Sequence, residues 1–537
     1  MNNQELTFTL ITDIHCYSKS IGVEGAAYDR ANAKSQLLLK DSADVLAAVF
    51  NRISKDKSND IVLIPGDVTS NAEKPSHREV IALLRALKAT GKRVYVTTAT
   101  HDYADDGVAY EYKGDEKVPV DAVTRGELFD MYREFGPDEA IAVEHESMSY
   151  VVQLEEGFRL FALNDDKNGS GKSGFSPETF DWIMRQAEDA RANNQTIIAM
   201  THHPLIAPSE FYALIGKNDM MGGHDERLKQ FADAGISFVF TGHSHIHDIS
   251  YRFTEKGNVL YDISTASPVG YPGYYRRVTV NRADDCIKIE TLTPEGLSVP
   301  SFGEETLENK LENQFFGMIG SVIDAAATDI DSLAEKVTAF SVKKELIYKI
   351  GWLIKPFAKL LKKLTVGRVA SWCKKESGIK KSDYKSLMSE SAVDFIITLP
   401  MNLYKGDGQY TPDTLYYKIT MGFMSIIDSI LDAFHIKVSK IFKGADSLCS
   451  VIEPLLYNSS VPDADVTLPL HPTKKELESR FTAESGTVYK SRKGKPIAAI
   501  LILLIIVLIP LLPVALAALA IGYVVNYFKY RKKIKSK

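Results

Sequence analysis

The chain has 537 residues and a formal net charge of -5, with 45% hydrophobic, 25% charged and 10% aromatic residues. At roughly 100–200 residues per domain this predicts two or three domains, and the balance excludes a disordered, collagen-like or disulfide-stapled chain. The four cysteines (Cys16, Cys286, Cys373 and Cys449) form no CxxC pair, which excludes a cysteine zinc framework and suits a reducing compartment. The chain opens MNNQELTFTLITDIH, without the basic segment and apolar stretch of a signal peptide, so folding in the cytoplasm is expected.

From there one local pattern recurs five times: a short apolar run, rich in β-branched and aromatic residues, ends abruptly in Asp, His or both. The runs are LTFTLITDIH (6–15), IVLIPGD (61–67), RVYVTTATHD (93–102), TIIAMTHHP (196–204) and SFVFTGHSH (237–245). Helical stretches at 36–53, 76–90 and 176–192 lie between them, the last with Ser176 as N-cap and Pro177 at the first helical position. Strands alternating with helices predict a layered α/β domain, in which ligands gather beyond the carboxyl ends of the strands. Seven of the twelve histidines (15, 101, 202, 203, 243, 245 and 247) fall in or beside these runs. Imidazole and carboxylate without thiolate is a donor set for Mn, Fe or Zn in a catalytic rather than a structural site. Asp67 is the natural bridging carboxylate, because Gly66 permits a sharp turn after its strand. The remaining histidines (77, 145, 224, 435 and 471) read as surface or satisfied core residues.

Asp13-Ile14-His15, Gly66-Asp67, His101-Asp102, His202-His203-Pro204 and Gly242-His243-Ser244-His245 together resemble the calcineurin-like metallophosphoesterase superfamily, over residues 5–295. The resemblance implies a four-layer αββα sandwich with two divalent or trivalent metal ions and hydrolysis of a phosphate ester by a hydroxide shared between them. By position, the first metal takes Asp13, His15, Asp67 and His245. The second takes Asp67, His202, His243 and the residue before His101. That residue is Thr100 where the family has Asn, so Thr100 ligates directly or through water, a neighbouring side chain such as Asn71 substitutes, or the second site is weak or empty. His101 is the expected acid at the leaving oxygen, with Asp102 orienting its imidazole or merely capping a turn. His203 and His247 are expected around the ligands, and Asp248 as a partner to a ligand imidazole. Loops 103–125 and 206–224 are candidate cleft rims, and Arg276 or Arg277 a candidate contact for an anionic substrate.

After residue 300 the pattern turns helical (304–340, 341–364 and 414–443), giving a helical basic region over 301–457. Residues 343–385 hold thirteen Lys/Arg against three acids, and in 345–364 apolar residues follow a helical repeat with lysines on the other surface. A basic amphipathic helix predicts contact with anionic lipid headgroups or packing within the protein; no nucleic-acid motif accompanies it. Residues 458–495 read as a polar, basic linker. Residues 497–528 form 32 positions without a charge, enough for a transmembrane segment (496–528) ahead of a basic tail (529–537). Pro510 and Pro513 near its middle leave open one kinked span or a re-entrant hairpin. The expectation is a membrane-anchored phosphoesterase facing the cytoplasm, with a phosphodiester favoured. A phosphomonoesterase or protein phosphatase is the alternative, as is a non-catalytic scaffold of the same fold.

Overall fold

The computed structural model describes residues 4–166, 173–209, 212–213, 219–338, 344–433, 437–440, 445–457 and 461–481. Each run ending in metal-type side chains contains a strand. In chain order the strands are β1 (Glu5–Leu10), β2 (Ile61–Pro65), β3 (Arg93–Thr97), β4 (Val108–Lys113), β5 (Glu116–Asp121), β6 (Ala142–Glu144), β7 (Ser149–Glu155) and β8 (Phe158–Ala162). They continue as β9 (Thr196–Met200), β10 (Phe238–Thr241), β11 (Asp248–Phe253), β12 (Val259–Ser264), β13 (Tyr275–Asn281), β14 (Cys286–Leu292) and β15 (Val466–Pro469).

Two sheets result, one ordered β15-β14-β13-β1-β2-β3 and the other β11-β12-β10-β9-β8-β7-β6. β1–β2–β3 run parallel, as do β8–β9–β10–β12, while the outer strands pair antiparallel. Side chains two apart on a strand share a face, and that period separates the layers. Phe8, Ile61, Leu63, Tyr95, Leu160, Ile198 and Phe240 fill one core between the sheets. Their neighbours Val62, Ile64, Val94 and Val96 pack instead under the helices Ser42–Lys55 and Lys74–Lys88. On the second sheet Phe161, Ile197, Ala199 and Val239 pack under Pro177–Ala192 and His224–Asp233. Strands flanked by helices on one face and by the other sheet on the second must be apolar on both faces, which is why they read as continuous apolar runs. The expected four-layer αββα sandwich is present. Ser176 caps its helix as expected, its hydroxyl accepting from the Thr179 amide at 3.1 Å.

The chain divides into two compact units. The first comprises Met1–Pro208, Met220–Phe315 and Val461–Phe481, and the second includes Ser209–Asp219 and Phe316–Ser460. The polar stretch read as a linker over 458–495 is therefore corrected for 461–481. β15 pairs antiparallel with β14 from Cys286↔Pro469 to Ile289↔Val466, and Leu468 and Leu477 are fully buried in the inter-sheet core. Polar residues outnumber apolar ones there because an edge strand buries only one face.

The second unit is helical, with helices at Ile330–Thr338, Lys344–Leu361, Val366–Cys373, Ala392–Lys405, Leu415–Ala433 and Leu448–Leu456. The helix Lys344–Leu361 buries Ile347, Ile354, Ala358 and Leu361, so the apolar face that suggested a lipid-facing helix is used within the protein. Among the described residues no helix is long and apolar enough to cross a membrane. The segment 496–528, its choice of one span or a hairpin, and the tail 529–537 lie outside the described residues.

Candidate metal centre

Asp13 and His15 follow β1, Asp67 follows β2, His101 and Asp102 follow β3, His202 and His203 follow β9, and His243 and His245 follow β10. All leave the carboxyl ends of parallel strands, where an α/β sheet presents its binding residues. Two clusters form: Asp13, His15 and His245, and Asp67, His202 and His243, each with donor atoms within 4.8 Å of one another and all six residues buried. In the first, His15 Nε2 lies 3.1 Å from His245 Nε2, and His245 Nε2 lies 3.3 Å from Asp13 Oδ1. In the second, His202 Nε2 lies 3.1 Å from Asp67 Oδ2 and 3.2 Å from His243 Nδ1. Asp67 Oδ2 is also 3.9 Å from His15 Nε2, so one carboxylate oxygen faces both clusters. Donors bound to one ion at about 2.1 Å stand about 3.0–3.4 Å apart in octahedral or tetrahedral shells. The donor set fits two metal ions sharing Asp67.

The chain fixes which nitrogen of each ring is available. His202 Nδ1 lies 2.9 Å from the Pro65 carbonyl and His15 Nδ1 3.3 Å from that of Thr69, so each Nδ1–H donates outward and leaves Nε2 for a metal. The Asp13 carboxylate accepts from the His243 amide at 3.0 Å and from the Thr12 hydroxyl at 2.8 Å. Five of the six residues have left-handed backbones: Asp13, His15, Asp67, His243 and His245 have φ between 37° and 64°. Such conformations cost of order 1–3 kcal/mol each and gather where function needs a side chain re-aimed. Gly66 and Gly242 permit the close approach. A Cβ on Gly66 would lie 2.6 Å from His202 Nδ1, and one on Gly242 would lie 2.2 Å from Asp13 Oδ2.

Electrostatics matches a cation-binding pocket. Burial alone would raise the carboxyls of Asp67 and Asp13. For Asp67 the charges of His202, His101 and His15 outweigh it, and for Asp13 the charges of His245 and His202 do, so both end below the ordinary range. Burial lowers His15 to about 3 and His243 well below its usual value, so both imidazoles stay neutral, as ligands must. His202 moves the other way: the adjoining Asp67 carboxylate overcomes burial and raises it.

The other expected residues divide. His101 is half-buried; its amide donates to Asp67 Oδ1 at 3.0 Å and its Nδ1 lies 2.8 Å from the Ser70 carbonyl, which leaves Nε2 for a substrate. Asp102 does not orient that imidazole through its hydrogen bonds. Its fully buried carboxylate accepts from the amides of Thr69 and Ala99, both at 2.8 Å, and from the Thr69 hydroxyl, tying two ligand-bearing turns together. Burial and the Asp67 charge push it up to about 7. Thr100 and Asn71 are both exposed, in contrast to the six buried residues of the two clusters. His203 is held at Nδ1 by Asp165 at 3.1 Å and its ring lies 4.2 Å from that of His243, as expected for a residue around the ligands.

His247 bonds Thr291 and Asp248 bonds Ser250, so neither supports a ligand imidazole. Arg276 and Arg277 are likewise corrected. Arg276 is fully buried, donating to the carbonyls of Asp463 and Ser264, and Arg277 pairs with Asp56 at 2.6 Å. Asp165 and Asp166 were missed. They follow β8 in the run FRLFALNDD, the same apolar run ending in acids that marked the other five. Asp165 accepts from the amide of His202 at 3.2 Å and of His203 at 3.3 Å, and burial pushes Asp166 up to about 6.

The carboxyl ends of parallel strands in both sheets thus converge on two adjoining His–Asp clusters that could each hold a metal ion. Residues 6–247 match the family model of the calcineurin-like phosphoesterases. No curated protein matches the chain. Among solved structures, a dimetal phosphatase from Danio rerio is 14% identical with a TM-score of 0.38, over 54% of this chain and 96% of that one. An NAD nucleotidase from Haemophilus influenzae is 13% identical with a TM-score of 0.27, over 55% of this chain and 48% of that one. A 5'-nucleotidase precursor from Thermus thermophilus is 13% identical with a TM-score of 0.25, over 60% of this chain and 59% of that one. The chain thus spans less than two thirds of either nucleotidase.

Proposed function

We propose that the chain is a membrane-anchored hydrolase of phosphate esters, with a phosphodiester as the favoured substrate. The supporting observation is Asp67, whose Oδ2 lies 3.1 Å from His202 Nε2 and 3.9 Å from His15 Nε2 and so faces both clusters. When bound, two ions supply Lewis acidity toward the phosphoryl oxygens and toward water. The chain's own residues do the rest. His101, fixed through Nδ1, offers Nε2 to hold or protonate the leaving oxygen, and Asp102 keeps the turns after β2 and β3 in register. The preference for a diester rests on the uncharged run at 497–528, which would place the domain beside lipid-linked substrates.

The test measures bound metal in the full chain and its turnover of chromogenic mono- and diesters with added Mn²⁺. Diester turnover is expected to exceed monoester turnover and to fall at least about a thousandfold in Asp67→Ala, since both ions lose a shared ligand. Metal-replete protein without turnover of either ester overturns the enzyme reading. It favours instead a scaffold of the same fold, consistent with the exposed Thr100 at the second site. Anchoring is tested by alkaline extraction of membranes: the full chain is expected to stay in the pellet and a chain ending at residue 489 to be released. Release of both overturns the anchor.

A further inference from the structure

The helix Lys344–Leu361 of the second unit presents an outer stripe at helical spacing, Tyr348, Trp352, Lys355 and Lys359. Its opposite face, with Ile347, Ile354, Ala358 and Leu361, is buried. Trp352 is 76% exposed, the most exposed of the large hydrophobic side chains described, and Tyr348 is 49% exposed. The stripe borders a shallow groove of about 480 Å³. Gly351 sets the groove's depth, since a Cβ there would lie 2.6 Å from Ile330 Cγ1 on the neighbouring helix. Among the described residues Lys355 and Lys359 have no ion-pair partner, while the nearby Lys362 pairs with Asp324. Leaving a Trp in water sacrifices a large apolar area, and a soluble protein normally buries or covers it.

We propose that this stripe is the face on which the second unit rests against an anionic bilayer, with phosphatidylserine-type headgroups around Lys355 and Lys359 and the rings of Trp352 and Tyr348 at headgroup depth. Three observations select that occupant. Trp and Tyr combine an apolar ring with a polar edge and settle at membrane–water interfaces. The surrounding stretch, 343–385, carries thirteen Lys/Arg against three acids and complements a negative surface. The same chain continues into 32 uncharged residues at 497–528, flanked by lysines and arginines on both sides. The contact involves neither the metal clusters nor their chemistry, so it stands or falls separately from the hydrolase reading.

The test uses the full chain reconstituted into nanodiscs of phosphatidylcholine alone or with about a third phosphatidylserine, with brominated lipid as a quencher of tryptophan fluorescence. Quenching is expected to rise in the anionic discs, to fall by at least half in Trp352→Phe, and to return to the neutral-disc level in Lys355→Glu/Lys359→Glu. These positions are exposed, and unchanged thermal unfolding shows that the variants fold. Equal quenching in both disc types, or quenching indifferent to Trp352→Phe, overturns the proposal. So does concentration-dependent self-association, or binding of a labelled RNA, that is lost in Trp352→Phe, because either names a different occupant. Loss of ester turnover with these results intact would overturn only the hydrolase.

Discussion

A buried imidazole outside the metal centre gives the residue scale its clearest test. His77 is fully buried, with Nδ1 2.8 Å from the Tyr132 hydroxyl and Nε2 3.0 Å from the Asp102 carbonyl. Burial lowers it from 6.5 to about 4. Between those values the unfolded chain holds the proton and the fold does not. Stability is therefore complete above about pH 6.5 and declines by about 3 kcal/mol as the pH falls to about 4. Urea unfolding at pH 7 and pH 4.5 is expected to show a smaller decline in His77→Gln than in the wild type; equal declines would place the effect elsewhere. The clustering of Asp13, His15, Asp67, His202, His243 and His245 could be read from the sequence because metal ligation demands particular atoms, and these residues offer them in type and order. Arg276 misled because a guanidinium satisfied by buried carbonyls and one that awaits a substrate look alike before the chain is folded. Asp102 misled similarly, since adjacency to His101 in sequence does not decide which amides its carboxylate accepts from.

Among the elements, the five strands that lead into metal-type side chains were legible, whereas the equally buried β8 and β12 and the less buried β4, β5 and β15 were not. β2 is an unbroken apolar run with every residue buried. β4 and β5, in the stretch read as a polar loop over 103–125, form a two-stranded hairpin whose β5 has no buried residue, so hydrophobic patterning had little to report. β15 was missed for the same reason, although Leu468 reaches the inter-sheet core. Leu468→Ala is expected to cost about 3 kcal/mol, the usual toll for a buried leucine truncation, and to lower the thermal midpoint of the full chain. A midpoint unchanged from wild type would show that β15 contributes little to the first unit. A chain cut at residue 300 lacks this strand altogether and leaves the edge of β14 unpaired.

For the molecule as a whole, the metal centre joins loops from both sheets. Asp13, His15 and Asp67 come from one sheet, and His202, His243 and His245 from the other. Ions bound there would clasp the two layers together, since ligands that bind only the folded state stabilise it by about 2.7 kcal/mol at a hundredfold excess over Kd. Chelation is expected to lower the thermal midpoint by about 5 °C, and added Mn²⁺ to restore it. No shift on chelation, in protein shown to have lost its metal, would mean that the two sheets hold the site without help. The basic helical part was visible in the charge distribution, whereas the return of the chain from the second unit to the first was not. That return depends on which partner edge is free, which no local pattern records.

The late position of β15 also sets a timetable for the ribosome. Roughly 170 residues separate Leu292 from Val466, so at about 5–20 residues per second some 10–30 s elapse between synthesis of the β14 edge and of its partner strand. Throughout that interval the nascent sheet has an open border while the helices of the second unit are being made. The order of translation leaves this edge available to chaperones, or to another copy emerging from the same messenger, until the strand that closes it arrives.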